Sequence, residues 1–260
     1  MTYDFSYGWQ NPWRERDVLN ATEYAIMMNE GAINSGQAPK YNDPYSYGVG
    51  TNWQKETFNN DAPVMNHQVS VSGASEKVNY MFSIGYYGQE GIVGGNYNRS
   101  NYNRLTLRSK THYTIFDESK NRNWLNSLKI TSNLSYARVK ARSIEANSSY
   151  YSPLGSALAL SPILTPYAEG DAADAQLKKY EGDSNYTPVY SPDGRLYTIP
   201  GGDFNEMINP LASLSLPGAL SKTHKFVANF SADLQLWDNL KFRTSYGVDI
   251  QFYSNDGYTK

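Results

Sequence analysis

Few side chains in this sequence could do covalent or metal chemistry. The three histidines, His67, His112 and His224, are scattered and have no partner at metal-ligand spacing. With no cysteine there is no thiolate nucleophile, no disulfide framework and no thiolate metal site. The GIVGGN run at 91–96 has the glycines of a phosphate loop but lacks both the GK[ST] ending and a following helix. Asp171 and Asp174 are a pair of close acids that could divide acid and base work on a glycoside, yet they read as part of an Ala-rich loop with nothing to orient them. The expectation is a protein that is not an enzyme and uses no cofactor and no metal.

Recognition is the better use of what remains. The stretch 141–222 holds Tyr150, Tyr151, Tyr167, Tyr186, Tyr190 and Tyr197, interleaved with acids that include Asp193 and Asp203. Aromatic faces stack on sugar rings and carboxylates accept hydrogen bonds from hydroxyls, so these residues form a candidate ligand-binding set. The plainer reading, favoured for any single tyrosine, is packing of the loop on itself or against a protein partner.

Composition narrows the class. The 260 residues carry a formal charge of −2 and a pI near 5.9, which excludes a polybasic nucleic-acid binder. Charged residues are only 18%, mean hydropathy is −0.63, and aromatics reach 14%, too rich for a disordered chain. Polarity that is mostly uncharged, with 23 tyrosines, suits strands with one wet face. No apolar run approaches the length of a membrane helix, which leaves membrane strands untouched because they alternate. The first ten residues have neither a charged nor an apolar leader region, so no signal peptide is expected at this start. That leaves a cytoplasmic protein or an internal piece of a longer one.

The elements that must position these residues are mostly strands. One helix is expected over 17–35, followed by turn-rich text to 63. Six segments then alternate with period two, at 66–73, 77–88, 101–115, 124–140, 223–237 and 239–253, and 3–9 reads as the end of another strand. In 77–88, Val78, Tyr80, Phe82, Ile84 and Tyr86 share one face; in 239–253, Leu240, Phe242, Tyr246, Val248, Ile250 and Phe252 do so. Most runs are roughly 12 to 17 residues, against 5 to 6 for an ordinary strand. Short connections alternate with long ones, and Tyr86, Tyr87, Trp124, Tyr136, Trp237, Phe252 and Tyr253 fall near strand ends. Those are features of a membrane β-barrel with short turns on one side, long loops on the other and aromatic girdles. A soluble secreted β-sandwich, such as a carbohydrate-binding module, would also alternate and is the alternative.

The stretch 66–93, NHQVSVSGASEKVNYMFSIGYYGQEGIV, resembles the early barrel of SusC/RagA-type TonB-dependent transporters. The likeness continues upstream in ATEYAIMMNEGAINSG and TNWQKETF and downstream in the 124–136 strand, the helix-like insert SALALSPILTP at 156–166 and INPLA, and so covers essentially the whole chain. In one place Ala74 stands where that family's turn usually has a second glycine. The resemblance implies an all-β fold: about seven strands of a large antiparallel transmembrane barrel with long, helix-containing extracellular loops. A complete barrel of about 22 strands does not fit in this length, so the expectation is an N-terminal barrel piece without its plug. Its parts would be the end of a first strand (1–9), a loop with a helix (10–65), four strands (66–140), a long loop (141–222) and a hairpin (223–253).

What the resemblance implies for function is import of a glycan fragment or peptide across the outer membrane of a Gram-negative, Bacteroidota-like bacterium. The partners would be a SusD-like lipoprotein, the TonB energy-coupling system and outer-membrane lipid, with no nucleic acid. Arg104, Arg108, Lys110, Lys129, Asp233, Lys241, Arg243 and Asp249 would then face the lumen or plug, chiefly in structural charge pairing.

Overall fold

The computed structural model describes residues 1–117, 122–145, 148, 152–184, 186–201 and 207–257. Seven long strands form one antiparallel sheet: β1 (Thr2–Gln10), β2 (Ala62–Ala74), β3 (Val78–Glu90), β4 (Asn101–Phe116), β5 (Ser127–Arg142), β8 (Leu220–Trp237) and β9 (Leu240–Asp256). Each pairs with its neighbour in that order. A two-stranded pair, β6 (Tyr167–Ala168) and β7 (Leu196–Tyr197), lies within the β5–β8 connection.

Tight connections fix the register. Between β2 and β3 the Ser75 amide donates to the Val78 carbonyl at 2.7 Å, and the Val78 amide donates back to the Ser75 hydroxyl at 3.2 Å. At the β8–β9 turn the Gln235 side-chain amide holds the carbonyls of Trp237 and Asp238, beside a register shift at 235–237. With register set, period-two patterns on separate strands merge into continuous rows. One row runs Tyr3, Val69, Ile84, Leu107, Tyr136, Phe226, Ile250. The row beside it, on the other face, runs Asp4, Gln68, Gly85, Thr106, Ala137, Lys225, Gln251. The sheet is therefore two-faced across all seven strands.

Nothing among the described residues covers its apolar face. Phe82 is 50% exposed, Tyr246 68% and Phe252 68%, and the sheet contributes only Ala62 and Ala228 to the buried hydrophobic residues. A sandwich would bury this face against a second sheet about 10 Å away. There is none in the described residues, so the sandwich alternative is not met.

The core lies in the long connections, all of which leave the same end of the sheet. The first holds α1 (Ala21–Asn34), a 3-10 turn (Pro44–Tyr47) and α2 (Trp53–Thr57); the second spans 91–100; the third holds α3 (Pro153–Ala159), α4 (Asp171–Lys179) and α5 (Pro210–Ser215). Asn20 caps α1 by accepting from the Glu23 amide at 2.9 Å while Glu23 accepts from the Asn20 amide at 3.0 Å. Trp53, Ala157 and Leu160 form the centre, with Leu164 and Met207 against them. The Trp53 indole donates to the Ser161 carbonyl at 3.0 Å, and the Thr51 amide to the Pro162 carbonyl at 2.7 Å, tying first and third connections together. Gly50 makes that approach possible: its φ is +69°, and a Cβ there would sit 2.3 Å from the Pro162 oxygen. The second connection joins through the Phe58–Val93 bridge and the Asn59 amide on the Ile92 carbonyl at 2.8 Å. Three loops thus make one cap.

Several elements differ from the sequence reading. β2 starts at Ala62 rather than 66, and β5 at Ser127 rather than 124. The turn-rich text before 63 contains α2, and Asp171 and Asp174 lie in the first turn of α4, where acids complement the helix dipole, rather than in a loop. The SALALSPILTP segment is helical only through Ala159, and that helix begins earlier, at Pro153. Tyr87 and Tyr253 fall on the polar face, opposite Arg104 and Thr223, so they are not part of an aromatic girdle with Tyr86 and Phe252.

Candidate functional site

The polar face of the sheet gathers the charges. Arg104, Arg108 and Lys110 project from alternate positions of β4, and Lys129, Asp233 and Arg243 share one register row across β5, β8 and β9. Arg243 grips Asp233 with two bonds, Nε to Oδ1 at 2.5 Å and Nη2 to Oδ2 at 3.1 Å. Asp249 pairs with Lys225 at 3.2 Å, and Lys241 stands opposite Gln235. All eight sequence-derived wall residues therefore share one face, and three of them make cross-strand ion pairs. Arg104 lies 5.8 Å from the Tyr87 ring centre, at a shallow hollow with Gln68 and Arg108. Among the described residues Arg104, Arg108 and Lys110 have no carboxylate partner, leaving a cationic strip on β4.

The cap organises its aromatics differently. Tyr167 and Tyr197 stack across β6 and β7 with ring centres 5.1 Å apart, and the Arg195 guanidinium lies 3.6 Å from the Tyr167 ring centre. Tyr197 is buried, and its carbonyl accepts from the Gln176 side chain at 2.9 Å. Tyr97, from the second connection, abuts this pair; burial first, then the neighbouring Tyr197 and Tyr167, hold its phenol far above the ordinary tyrosine range. Burial and Tyr197 raise Tyr167 in the same way, against the pull of Arg195. Asp193 accepts from the Ser191 hydroxyl and from Arg195 Nε at 2.8 Å, closing the 191–195 turn. The Ser191 bond first, then Arg195, pull its carboxyl below the usual carboxylate value. Tyr167, Tyr197 and Asp193 are thus committed to one another or to the turn.

Tyr186 and Tyr190 lie outside that stack. Tyr190 is half exposed. Tyr186 lies against Tyr180, ring centres 4.6 Å apart, and lines an apolar hollow of about 320 Å³ with Val189, Ile199, Ile208 and Leu216. The Tyr186 and Thr198 hydroxyls are buried there without a hydrogen-bond partner, so the hollow offers grease and two unsatisfied polar atoms. Tyr150, Tyr151 and Asp203 lie outside the described residues.

Sequence reasoning missed three parts of this arrangement. Trp53 and Gln54 centre the cap, Gln54 bracketing the backbone of Arg16 with bonds of 2.8 and 2.7 Å. Tyr97 completes the tyrosine cluster but sits in glycine-rich text that shows no period. Arg138, Lys140 and Arg142 continue the parity of Leu134 and Tyr136 along β5, so they stand on the apolar face; that parity was the available signal.

No family model matches the chain. It is 25% identical over 236 residues to the TonB-dependent receptor SusC of Bacteroides thetaiotaomicron, which covers 90% of this chain and 20% of that protein. It is 35% identical over 104 residues, 40% of this chain and 10% of the relative, to TonB-dependent receptor P26 of Formosa agariphila, and 26% identical over 95% of this chain to receptor P3 of the same organism. The chain thus spans at most about a fifth of the length of these relatives. The solved RagAB peptide transporter matches 96% of this chain and 28% of its own, at a TM-score of 0.64 and 19% identity. The same transporter in its closed-closed state matches at 0.61. The resemblance to SusC/RagA-type TonB-dependent transporters is borne out, and the fold is that of a stretch of antiparallel barrel wall.

Proposed function

We propose that this chain, similar in sequence and fold to part of a SusC/RagA-type TonB-dependent transporter, forms barrel wall and outer loops of an outer-membrane importer for glycan fragments or peptides. The observation that carries this reading is the two-faced sheet. One face presents rows of aliphatic and aromatic side chains with nothing among the described residues over them, and the other presents ion pairs and amides. That arrangement suits a wall between hydrocarbon and a wet lumen, where the strand backbones satisfy one another. The cationic strip of Arg104, Arg108 and Lys110 then meets a plug or a passing solute. The apolar hollow beside Tyr186 suits a side chain or sugar face of the cargo.

A SusD-like lipoprotein is the proposed partner at the cap. Supporting it, the first connection exposes Trp13 (94%), Tyr45 (77%) and Val49 (76%), large apolar groups that a second protein would cover. Energy coupling to TonB belongs to the whole transporter.

The test is growth. A strain lacking the complete gene is supplied with oligosaccharide or peptide pools as sole carbon source, with and without the gene restored. Restored uptake, with the protein in the outer-membrane fraction, is the expected result; equal growth on every pool in the deletion strain contradicts the import reading.

A further inference from the structure

On β5 and β8 the apolar face ends abruptly toward the cap. Along β5, Leu128, Ile130, Leu134 and Tyr136 give way at the same parity to Arg138, Lys140 and Arg142; along β8, Phe226 gives way to His224 and Lys222. The apolar stretch from Leu128 to Tyr136 is about the nine to eleven residues that a tilted strand needs to cross a bilayer. The basic residues therefore begin where the hydrocarbon ends, on the outside of the wall and at the loop end. Three of the five are already engaged: Lys222 pairs with Asp256, Arg142 donates to Asn98 at 3.2 Å, and His224 is held through Nδ1 against the Tyr136 hydroxyl at 2.8 Å. Arg138 and Lys140 have no carboxylate partner among the described residues, and the Arg138 Nε is sealed from water with no acceptor. Both line a hollow of about 380 Å³ whose other walls are Tyr86, Asn103 and Leu105. Tyr86 donates to Asn103 Oδ1 at 2.9 Å, and the Asn103 side-chain amide has no acceptor among the described residues. Two cations with no carboxylate partner among the described residues, an amide donor, a tyrosine and a leucine thus share a recess directly above a hydrocarbon-facing strip.

We propose that this recess binds the phosphorylated head group of a glycolipid of the outer leaflet. Arg138 and Lys140 hold the phosphate, Asn103 donates to the sugar, and the acyl chains lie along Leu107, Tyr136 and Phe226. A guanidinium fork and an ammonium are the side chains that recognise phosphate, and basic pockets at the membrane boundary bind anionic head groups. The proposal rests on the outer-membrane reading above.

The test uses the whole transporter, purified in detergent and tested for retention of bisphosphorylated lipid A, dephosphorylated lipid A and inorganic phosphate by native mass spectrometry. The bisphosphorylated lipid is expected to stay bound. Arg138→Gln with Lys140→Gln is expected to lower its retention at least tenfold, Arg138→Lys to lower it less, and the polar-face pair Arg104→Gln and Arg108→Gln to leave it unchanged. Equal retention by all variants, or of the dephosphorylated lipid, overturns the proposal, as does full competition by inorganic phosphate, which would make the site one for a free anion. Heat-modifiable migration shows whether each variant is folded; should the double variant not fold, the Arg138→Lys and Lys140→Gln single variants carry the comparison. Cell fractionation separates the two readings: a protein absent from the outer membrane defeats the functional reading as well, whereas one present there with indifferent lipid binding defeats this inference alone.

Discussion

The sheet and the cap solve opposite problems with the same residue types. In the cap, Trp53, Leu160, Leu211 and Leu214 are within 5% of full burial, and loops from three parts of the chain close over them. In the sheet, Phe82, Phe230, Tyr246 and Phe252 stand at 43 to 68% exposure with nothing among the described residues over them, and order comes from backbone ladders and cross-strand side-chain pairs. The cap is organised by a water-driven core. The wall is organised by hydrogen-bond satisfaction along its strands, and on the proposed membrane reading its apolar face meets hydrocarbon instead of water. Aromatic content by itself says nothing about which of these holds; the register and the lack of a covering layer do.

The sharpest break in this contrast comes from Trp53→Ala. Deleting the largest side chain of the cap core and its bond to Ser161 is expected to cost about 3–5 kcal/mol of cap stability. Limited proteolysis should then cut the long connections while the strands stay protected; strand cleavage at the same rate would mean wall and cap are one cooperative unit. Second in size is Phe230→Lys, a charge placed mid-strand on the apolar face. A cation on the lipid side of a barrel costs about 2–4 kcal/mol at the midplane, so folding into bilayers should suffer by that amount in a urea titration. Ser231→Lys, one residue along on the polar face, should have far less effect, and equal losses would erase the two-faced assignment.

Smaller effects sharpen the cap side. Asn20→Ala removes the capping box of α1 and is expected to cost about 1 kcal/mol, read as faster amide exchange over the first turn of Ala21–Asn34. Least of all is the pH response of the 191–195 turn. The Asp193 carboxyl is depressed in the folded cap, so its contribution is present above the ordinary carboxylate range and is lost as pH falls through the lowered value. Amide exchange at Arg195 should rise only in acid, and Asp193→Asn should remove that dependence; a rise at neutral pH would contradict the assignment.

The wall was legible in the sequence because period two survives on every strand, and rows such as Tyr3 to Ile250 need only the register that short turns supply. The first four residues of β2 were hidden because Ala62 and Pro63 carry no alternation. The cap was less legible. Helices as short as Trp53–Thr57 and Pro210–Ser215 hold together through caps and tertiary contacts rather than propensity, and so leave no periodic trace. Of the tyrosines expected to meet ligand, Tyr167 and Tyr197 stack on each other, a contact the sequence did not reveal because pairing between β6 and β7 joins residues some thirty apart. The basic run on β5 was visible by parity, but charge on a strand is easily assigned to the wet face by default.

Orientation of the wall is the claim on which the rest stands. These 260 residues hold no cysteine, so single cysteines can be placed at consecutive positions from Phe226 to Ala232 of the membrane-inserted transporter, in a background cleared of cysteine elsewhere, and spin-labelled. Collision with dissolved oxygen against a water-soluble nickel complex then reads each position's solvent. Positions 226, 228, 230 and 232 are predicted to favour oxygen, and 227, 229 and 231 the nickel complex. Access to the nickel complex without alternation would contradict a wall with one face in lipid.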